Sequence, residues 1–369
     1  MRSLLVLALL LAGCAQAQSP EQALPGFTTN TALRSIELSE LRGGGPPKDG
    51  IPSIDDPQFV SPEAASSWLA DREPVILITV EGETRIYPLQ ILTWHEIVND
   101  ELAGVPVAIT FCPLCYSAIA VDRRLDTDEG ERTLTFGVSG LLRHSDMVMF
   151  DRETETLWQQ FTGEALVGDL LGSTLTLLPA QIVSFAQARD AAPDAPVLSR
   201  DTGHQRDYGR NPYAGYDDVD KRPFLFDGKD NGQLPPMQRV IAVSVDEASR
   251  AYPADLTLER GVVADELADQ PLVVFHISGT ATALGDAEIA SARDVGATGV
   301  FDPRVGDRTL TFERRGDRFV DAETASSWTI TGEAVEGELA GTQLETVLHH
   351  DTFAFAWFAF KPDATVFEG

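Results

Sequence analysis

The chain has 369 residues, of which 57 are acidic and 28 are basic, and its formal net charge is −29 at neutral pH. This charge argues against nucleic acids and anionic lipid headgroups as partners, because their phosphates must be neutralised by lysine and arginine. We interpret the acidity as a solubility feature, and the length suffices for one large or two ordinary domains.

The first residues have the composition of a secretory signal peptide. Arg2 supplies a positive charge, residues 4–12 are apolar, and a small residue precedes Cys14. The apolar run is shorter than the roughly 20 residues that span a bilayer, but it suits a signal peptide. Leu11-Ala12-Gly13-Cys14 has the pattern of a lipobox, so we expect cleavage before Cys14 and a lipid on its thiol. The alternative is simple cleavage after Ala17.

The lipobox also predicts where the protein resides. Several acyl chains give a stable membrane anchor, and bacterial lipoproteins carry several. We therefore expect an exported protein of the cell envelope, anchored to a membrane through Cys14 and facing the periplasm or the exterior. The predicted divisions are a signal peptide (1–13), a tether with a loop leading into the body (14–47), a first unit (48–199), a connector (200–236) and a second unit (237–369).

The first unit is predicted to be strand-rich α+β. Residues 75–80 and 85–87 flank a turn, which is typical of a β-hairpin. Pro88 suits a first helical position, and the apolar face that follows has helical spacing. This face comprises Ile91, Leu92, His95 and Val98. Later elements are predicted as strands over 105–111, 116–121, 134–138 and 147–150, and as a helix over 184–192.

The strongest chemical signal is Cys112-Pro113-Leu114-Cys115, at the end of a predicted strand. Two thiols three positions apart can share a metal ion or a disulfide. The strand–turn–strand setting resembles the knuckles of rubredoxin-like and zinc-ribbon sites, whereas thioredoxin-type pairs lie at a helix N-terminus. Zinc or copper takes three or four ligands, so a histidine should complete the set. His95 is the best candidate, because its helix leads into the strand that carries Cys112; the alternative is a packed core histidine.

Two further segments carry candidate residues. His144, Ser145 and Asp146 lie in a predicted loop at the edge of the site, where they could orient a ligand or contact a substrate. The connector is long for a structureless segment, so it should be functional or packed across both units. Its candidate binding residues are Tyr208, Arg210, Asn211 and Tyr213.

The second unit repeats motifs of the first in the same order, which we interpret as a tandem duplication. The matched pairs include Tyr87-Pro88 with Tyr252-Pro253, Trp158 with Trp328, and Thr162-Gly163-Glu164-Ala165 with Thr331-Gly332-Glu333-Ala334. The proposed ligands are not repeated, since Arg260, Ile277 and Thr280 stand where His95, Cys112 and Cys115 would be. Their joint loss supports a single shared site in the first unit.

Several segments match one family pattern: residues 48–52, 87–88, 95–100, 110–115, 136–140, 145–146, 149, 151–152, 158, 206–213 and 353–362. At these residues the chain resembles the bacterial and archaeal domain-of-unknown-function family 3179. The resemblance spans nearly the whole mature chain, and it implies a shared site at His95, Cys112, Cys115, Ser145 and Asp146. Members of that family usually carry Asn at the position of His144.

Three hypotheses follow for the function. The first is a lipoprotein that binds a transition metal, copper or zinc, through Cys112, Cys115 and His95, because thiolates favour these ions over magnesium and calcium. The second is thiol–disulfide exchange at the two cysteines, with His95 tuning thiolate formation. The third is a non-enzymatic envelope module whose connector binds a protein or glycan partner.

Overall fold

The computed structural model describes residues 24, 26–127, 130–229 and 231–369. Cys14 and the predicted signal peptide lie outside the described residues. The described chain consists mainly of short β-strands with a few short helices, which confirms the predicted strand-rich α+β class.

The helices are all short. Two 3₁₀ turns cover Leu38–Glu40 and Ile289–Ser291, and the α-helices are α1 Pro62–Ala65, α2 Leu89–His95, α3 Phe185–Ala191, α4 Ala254–Arg260 and α5 Ala354–Phe360. Within the described ranges, none has the length and apolar character needed to cross a membrane.

The strands before the connector build the first segment, residues 48–199, and part of the chain that precedes it. They are β1 Arg42–Gly43, β2 Phe59–Val60, β3 Pro74–Val80, β4 Glu83–Pro88, β5 Ile97–Leu102, β6 Val105–Cys112, β7 Ser117–Asp122, β8 Arg124–Thr127, β9 Gly130–Thr133, β10 Phe136–Arg143, β11 Asp146–Asp151, β12 Leu157–Gln159, β13 Ala165–Val167, β14 Leu177–Leu178, β15 Ala180–Ser184 and β16 Val197–Leu198.

The strands after the connector build the second segment, residues 237–369. They are β17 Arg239–Val245, β18 Ala248–Pro253, β19 Val262–Leu267, β20 Gln270–Ile277, β21 Ala297–Phe301, β22 Arg304–Val305, β23 Arg308–Thr309, β24 Phe312–Arg315, β25 Arg318–Asp321, β26 Ser327–Trp328, β27 Ala334–Glu336, β28 His349–Phe353 and β29 Thr365–Val366.

The two segments have closely similar sheets. The order β15-β3-β4-β16 in the first corresponds to β28-β17-β18-β29 in the second, and in both the last strand pairs in parallel with its neighbour. The order β5-β6-β7 corresponds to β19-β20-β21, and β11-β12-β13 to β25-β26-β27. This shared layout is what a tandem duplication would produce, and the duplication itself stays a prediction.

Two buried tryptophans support the interpretation of the repeated motifs as scaffold. Trp158 Nε1 donates to Asp151 Oδ2 at 2.8 Å, and Trp328 Nε1 donates to Asp321 Oδ2 at 2.9 Å. Both rings are fully buried, so each indole N–H needs such an acceptor. The two segments thus use the same side-chain pair at the same place.

The predicted helix after the first hairpin is shorter than its apolar pattern suggested. Helix α2 ends at His95, because Glu96 adopts a left-handed conformation with φ 60°. Val98 therefore lies in β5 instead of on the helix, and its backbone pairs with Ile109 of β6. The prediction for Val98 was wrong because a buried strand and a buried helical face are both apolar, and periodicity does not separate them over so few residues.

The main apolar core extends across both segments. Phe111 and Cys112 of the first segment belong to the same buried cluster as Phe353 and Trp357 of the second. The carbonyl oxygen of Cys115 accepts hydrogen bonds from Phe353 N at 3.1 Å and from Thr352 Oγ1 at 2.8 Å. The second segment therefore holds the cysteine turn in place although it contributes no thiol.

The described part of the predicted tether, residues 26–47, lies against the first segment. Strand β1 pairs with β10, and Gly44 N donates to Gly140 O at 2.8 Å. Phe27 packs edge-on against Phe150 with ring centroids 5.4 Å apart. We call these residues the arm, and they form one wall of the cavity described below.

Candidate metal centre

Two connections between strands carry the side chains of the candidate site. Cys112 is the last residue of β6, and Cys115 lies in the turn that leads into β7. Asp146 is the first residue of β11, which pairs with β10 across a two-residue loop of His144 and Ser145. The predicted strand–turn–strand setting of the cysteines is confirmed.

Cys112, Cys115 and Asp146 converge on one point. The two sulfurs and a carboxylate oxygen of Asp146 all lie within 4.8 Å of one another. Each of the three side chains is at most 1% exposed, and both cysteines are free thiols. We call this group the thiol–carboxyl cluster. It has the donor types and spacing of a metal site.

The backbone around the cluster is strained. Tyr116, His144 and Ser145 have φ values of 55°, 53° and 70°, a region that residues other than glycine seldom adopt. Positive φ at both loop positions is the pattern of a type I′ hairpin turn, which favours Asn at its first position. Such conformations persist where surrounding structure enforces them, and they concentrate at functional sites.

The nitrogen donors around Asp146 reach one of its two carboxylate oxygens. Its Oδ2 accepts hydrogen bonds from Gln159 Nε2 at 2.6 Å and from Phe161 N at 3.1 Å. Within the described residues, Oδ1 is buried and meets no nitrogen or oxygen donor, and the donors beside the carboxylate are the thiols of Cys115 and Cys112. A thiol is a weak hydrogen-bond donor, so a cation would be a stronger partner for this oxygen.

Burial also determines the protonation of the cluster. It raises the pKa of Asp146 to about 7, although the hydrogen bonds from Gln159 and Phe161 partly offset the rise. Burial raises the pKa of Cys112, and it raises the pKa of Cys115 well above the usual range of a thiol. Both thiols therefore keep their protons near neutral pH unless a cation is bound, whereas Asp146, with a pKa of about 7, exchanges its proton in that range.

Glu96 is a site residue that the sequence analysis missed. Burial raises its pKa to about 8; a hydrogen bond from Tyr213 Oη, 3.5 Å from Oε1, lowers it slightly, and the charge of Asp146 raises it again. At the matching position of the second segment stands Gly261, with φ 76°. In the alignment of the two segments, a glutamate therefore stands at a position where a positive φ favours glycine. This contrast could have identified Glu96 from the sequence.

His95 lies outside the thiol–carboxyl cluster. Its Nδ1 is 2.7 Å from Pro52 O, and its Nε2 is 2.6 Å from Tyr208 Oη. Both ring nitrogens are thus engaged by other groups, and burial lowers the pKa of His95 to about 4. The structure therefore does not bring His95 together with the two thiols, and the carboxylate of Asp146, predicted only as a supporting residue, lies beside them instead.

An apolar cavity of about 300 Å³ lies beside the cluster. Glu96 lines it, as do Leu114, which stands between the two cysteines, and Met147, which follows Asp146. The other lining residues come from the arm and its continuation, from β10 and from the connector: Gly44, Pro46, Ile51, Val138, Gly140, Leu141, Leu142, Tyr213, Tyr216 and Phe224.

One family model matches most of the chain. The family model described as "Protein of unknown function (DUF3179)" matches residues 48–364. The chain belongs to this family. The match includes every residue of the cluster, Glu96, the whole first segment and all but the last five residues of the second. No curated protein and no solved structure matches the chain.

In this DUF3179 chain, the predicted connector residues have two different environments. Tyr208 bonds His95, and Tyr213 lines the cavity and contacts Glu96. Arg210 and Asn211 instead bind the second segment: Arg210 Nη1 lies 2.6 Å from Glu288 Oε1, and Asn211 Nδ2 donates to Asp286 O at 3.1 Å. The connector thus packs across both segments, which was one of the two predicted alternatives.

His144 lies at the rim of the candidate site without joining it. Its ring nitrogens are 3.5 Å from Asp227 Oδ1 and 3.9 Å from Glu40 Oε2, and its ring packs against Phe360. Burial lowers its pKa, and the charge of Arg143 adds to the effect. His144 is therefore not brought together with the thiols.

Glu96 should make the stability of the metal-free protein depend on pH. Because its pKa is higher in the folded than in the unfolded chain, folding retains a proton, and the free energy of unfolding falls as pH rises from about 4.5 to about 8. We expect Glu96→Gln to reduce this fall by about 2 kcal/mol, which is less than the free energy that the full pKa shift of Glu96 would give. Denaturant unfolding between pH 5 and 9 measures it.

The matched control is Glu101→Gln, which changes an exposed carboxylate in the adjoining strand. We expect the control to keep the pH slope of the wild type. Equal slopes for the wild type and Glu96→Gln would contradict the assignment of Glu96 as a buried proton-retaining group.

Proposed function

We propose that this protein binds one transition-metal ion, with zinc as the first choice and copper as the second, through Cys112, Cys115 and Asp146. The observation that carries the proposal is the convergence of two sulfurs and a carboxylate oxygen within 4.8 Å in a buried site. Zinc takes cysteine, histidine and aspartate ligands, usually four in a tetrahedral arrangement.

The electrostatics support a cation. Three buried acidic groups occupy one site, and burial opposes the ionisation of each. Among the described residues, no histidine belongs to the cluster. A divalent ion would displace the protons and neutralise the negative charges that then form.

The donor set favours zinc over copper(I). Two thiolates suit both ions, but a carboxylate is a harder ligand that suits zinc better. Three protein ligands leave a fourth position on a tetrahedral ion for water or a small molecule, as in catalytic zinc sites. Enzymatic chemistry would require that position, and simple metal binding would not.

Elemental analysis of the purified protein tests the proposal. We expect about one zinc or copper ion per chain in the wild type and a large loss in Cys112→Ser. His95→Gln serves as the control, because His95 is not among the proposed ligands; it should keep its metal. Absence of metal from the wild type, even after incubation with zinc or copper(I), would overturn the proposal.

A reversible disulfide between Cys112 and Cys115 is the second candidate. The specific observation is the acid beside the thiol pair, since Asp146, with a pKa of about 7, can accept a thiol proton. Oxidation would join the two sulfurs and release two electrons and two protons to an external thiol–disulfide oxidant. Redox titration with thiol trapping on metal-free protein should then give a two-electron couple; thiols that stay reduced in oxidised glutathione would eliminate this candidate.

The location of the protein is part of the proposal. The lipobox before Cys14 supports a lipid-anchored protein of the cell envelope, with the metal site in an exported compartment. In this setting the membrane is a partner through the lipid and nucleic acid is not. Mass spectrometry of the mature N-terminus should find an acylated Cys14, and an unmodified N-terminus at Gln18 would support the alternative cleavage.

A further inference from the structure

The apolar cavity beside the cluster is built from separate parts of the chain. The arm and its continuation contribute Pro46 and Ile51, strand β10 contributes Val138 and Leu141, and the connector contributes the three aromatic residues Tyr213, Tyr216 and Phe224. Segments distant in sequence that line one space of about 300 Å³, partly open to solvent, form a concave, preformed pocket. Ligand sites usually have this form.

The lining of the cavity is almost entirely apolar. Most of its side chains are aliphatic or aromatic, and Glu96 is the single carboxylic acid among them. Lysine, arginine and histidine are absent from the described lining. A negative charge placed here would lose its hydration without gaining a counter-charge. The hydroxyls of Tyr213 and Tyr216 already donate to Glu96 and to Leu114 O, so Glu96 is the polar group that can fix the orientation of a ligand.

The size of the cavity sets the size of its occupant. A dry apolar cavity of about 150 Å³ is enough to bind benzene in a protein interior. The present cavity has about twice that volume. A ligand of one or two fused rings, or an aliphatic molecule of similar volume, fits this space.

We propose that this cavity binds a small, largely apolar molecule without a negative charge, whose polar group hydrogen-bonds to the carboxyl of Glu96. Binding in the cavity does not require a metal ion. The role of this molecule as a ligand or substrate of the metal centre rests on the proposed function. Leu114 lies between the two proposed ligand cysteines, and Met147 follows Asp146. Both side chains line the cavity, so the cavity adjoins the proposed metal centre.

Indole and indole-3-acetate form a matched pair of probes, because they share one ring system and differ in a negatively charged group. Titration calorimetry on the metal-free full chain should give a Kd for indole below about 1 mM, as expected for a small ligand that fills a pocket. Indole-3-acetate should bind at least 10-fold more weakly, since its carboxylate lacks a cation in the lining.

Two variants locate the binding. Leu142 lines the cavity and pairs with Met147, so Leu142→Trp places a large side chain in the cavity and should weaken indole binding at least 10-fold. Phe224→Ala removes part of the lining at an exposed position, so it should fold and should weaken binding several-fold. Thr84→Trp is the control, because it introduces the same side chain at a different depression of the surface; it should leave the Kd unchanged.

The outcomes separate the two proposals. Indole binding by metal-free Cys112→Ser protein, with the same Kd as the wild type, would support the cavity proposal even if metal binding failed. Failure of indole to bind, equal affinity for the two probes, or an unchanged Kd in both Leu142→Trp and Phe224→Ala would overturn the cavity proposal and leave the metal proposal standing.

Discussion

Cys112→Ser should weaken zinc binding at least about 100-fold, because it removes a thiolate from a three-ligand set. Residues that only orient metal ligands are worth about 10- to 100-fold in affinity, so loss of a ligand should cost more. Asp146→Asn should cost about 10- to 100-fold, since the amide oxygen remains a weak ligand. Competition with a chelator of known zinc affinity measures each value.

His95→Gln provides the control for this series. The ring of His95 is bonded to Pro52 and Tyr208, so its loss should leave the zinc affinity unchanged. An affinity loss in His95→Gln as large as that in Cys112→Ser would show that the histidine is a ligand. Equal zinc affinities for Cys112→Ser and the wild type would show that the thiols are not.

Gly140→Ala should destabilise the fold by about 2–4 kcal/mol, through strain and collision together. Gly140 lies at a bulge in β10 with φ 76°, and a Cβ there would stand 2.2 Å from Pro46 O. The neighbour is backbone, so the arm would have to move away from β10. Denaturant unfolding of the metal-free protein measures the loss.

Gly104→Ala separates the two causes. Gly104 has φ 79°, nearly the same as Gly140, but an added Cβ there has nothing within 4 Å. We expect Gly104→Ala to cost about 1 kcal/mol, from the left-handed conformation alone. Equal losses at the two glycines would contradict the packing of the arm against β10, and with it the wall of the cavity.

Local sequence patterns were sufficient for the framework of the site. Alternating and apolar stretches predicted the hairpin β3–β4 and the buried strand β6, since these features depend on residues close in the chain. The spacing of Cys112 and Cys115 predicted a turn that presents two thiols, and the structure has that turn. Residues with local causes were therefore the predictable ones.

The third member of the thiol–carboxyl cluster depended on contacts that the sequence pattern does not contain. Helical spacing suggested that His95 faces the thiols, but Glu96 ends the helix and Tyr208, more than a hundred residues later, binds the ring. Asp146 reaches the cysteines through the packing of one sheet against another. Glu96 was overlooked because an acid next to a predicted ligand resembles an ordinary surface residue until its burial is known.

The X-ray absorption spectrum of the zinc-loaded protein at the zinc edge tests the proposed ligand set most directly. We predict two sulfur ligands at about 2.3 Å and oxygen ligands at about 2.0–2.2 Å, without the signature of an imidazole ring. A first shell of nitrogen and oxygen alone, with no sulfur, would contradict a metal centre at Cys112, Cys115 and Asp146.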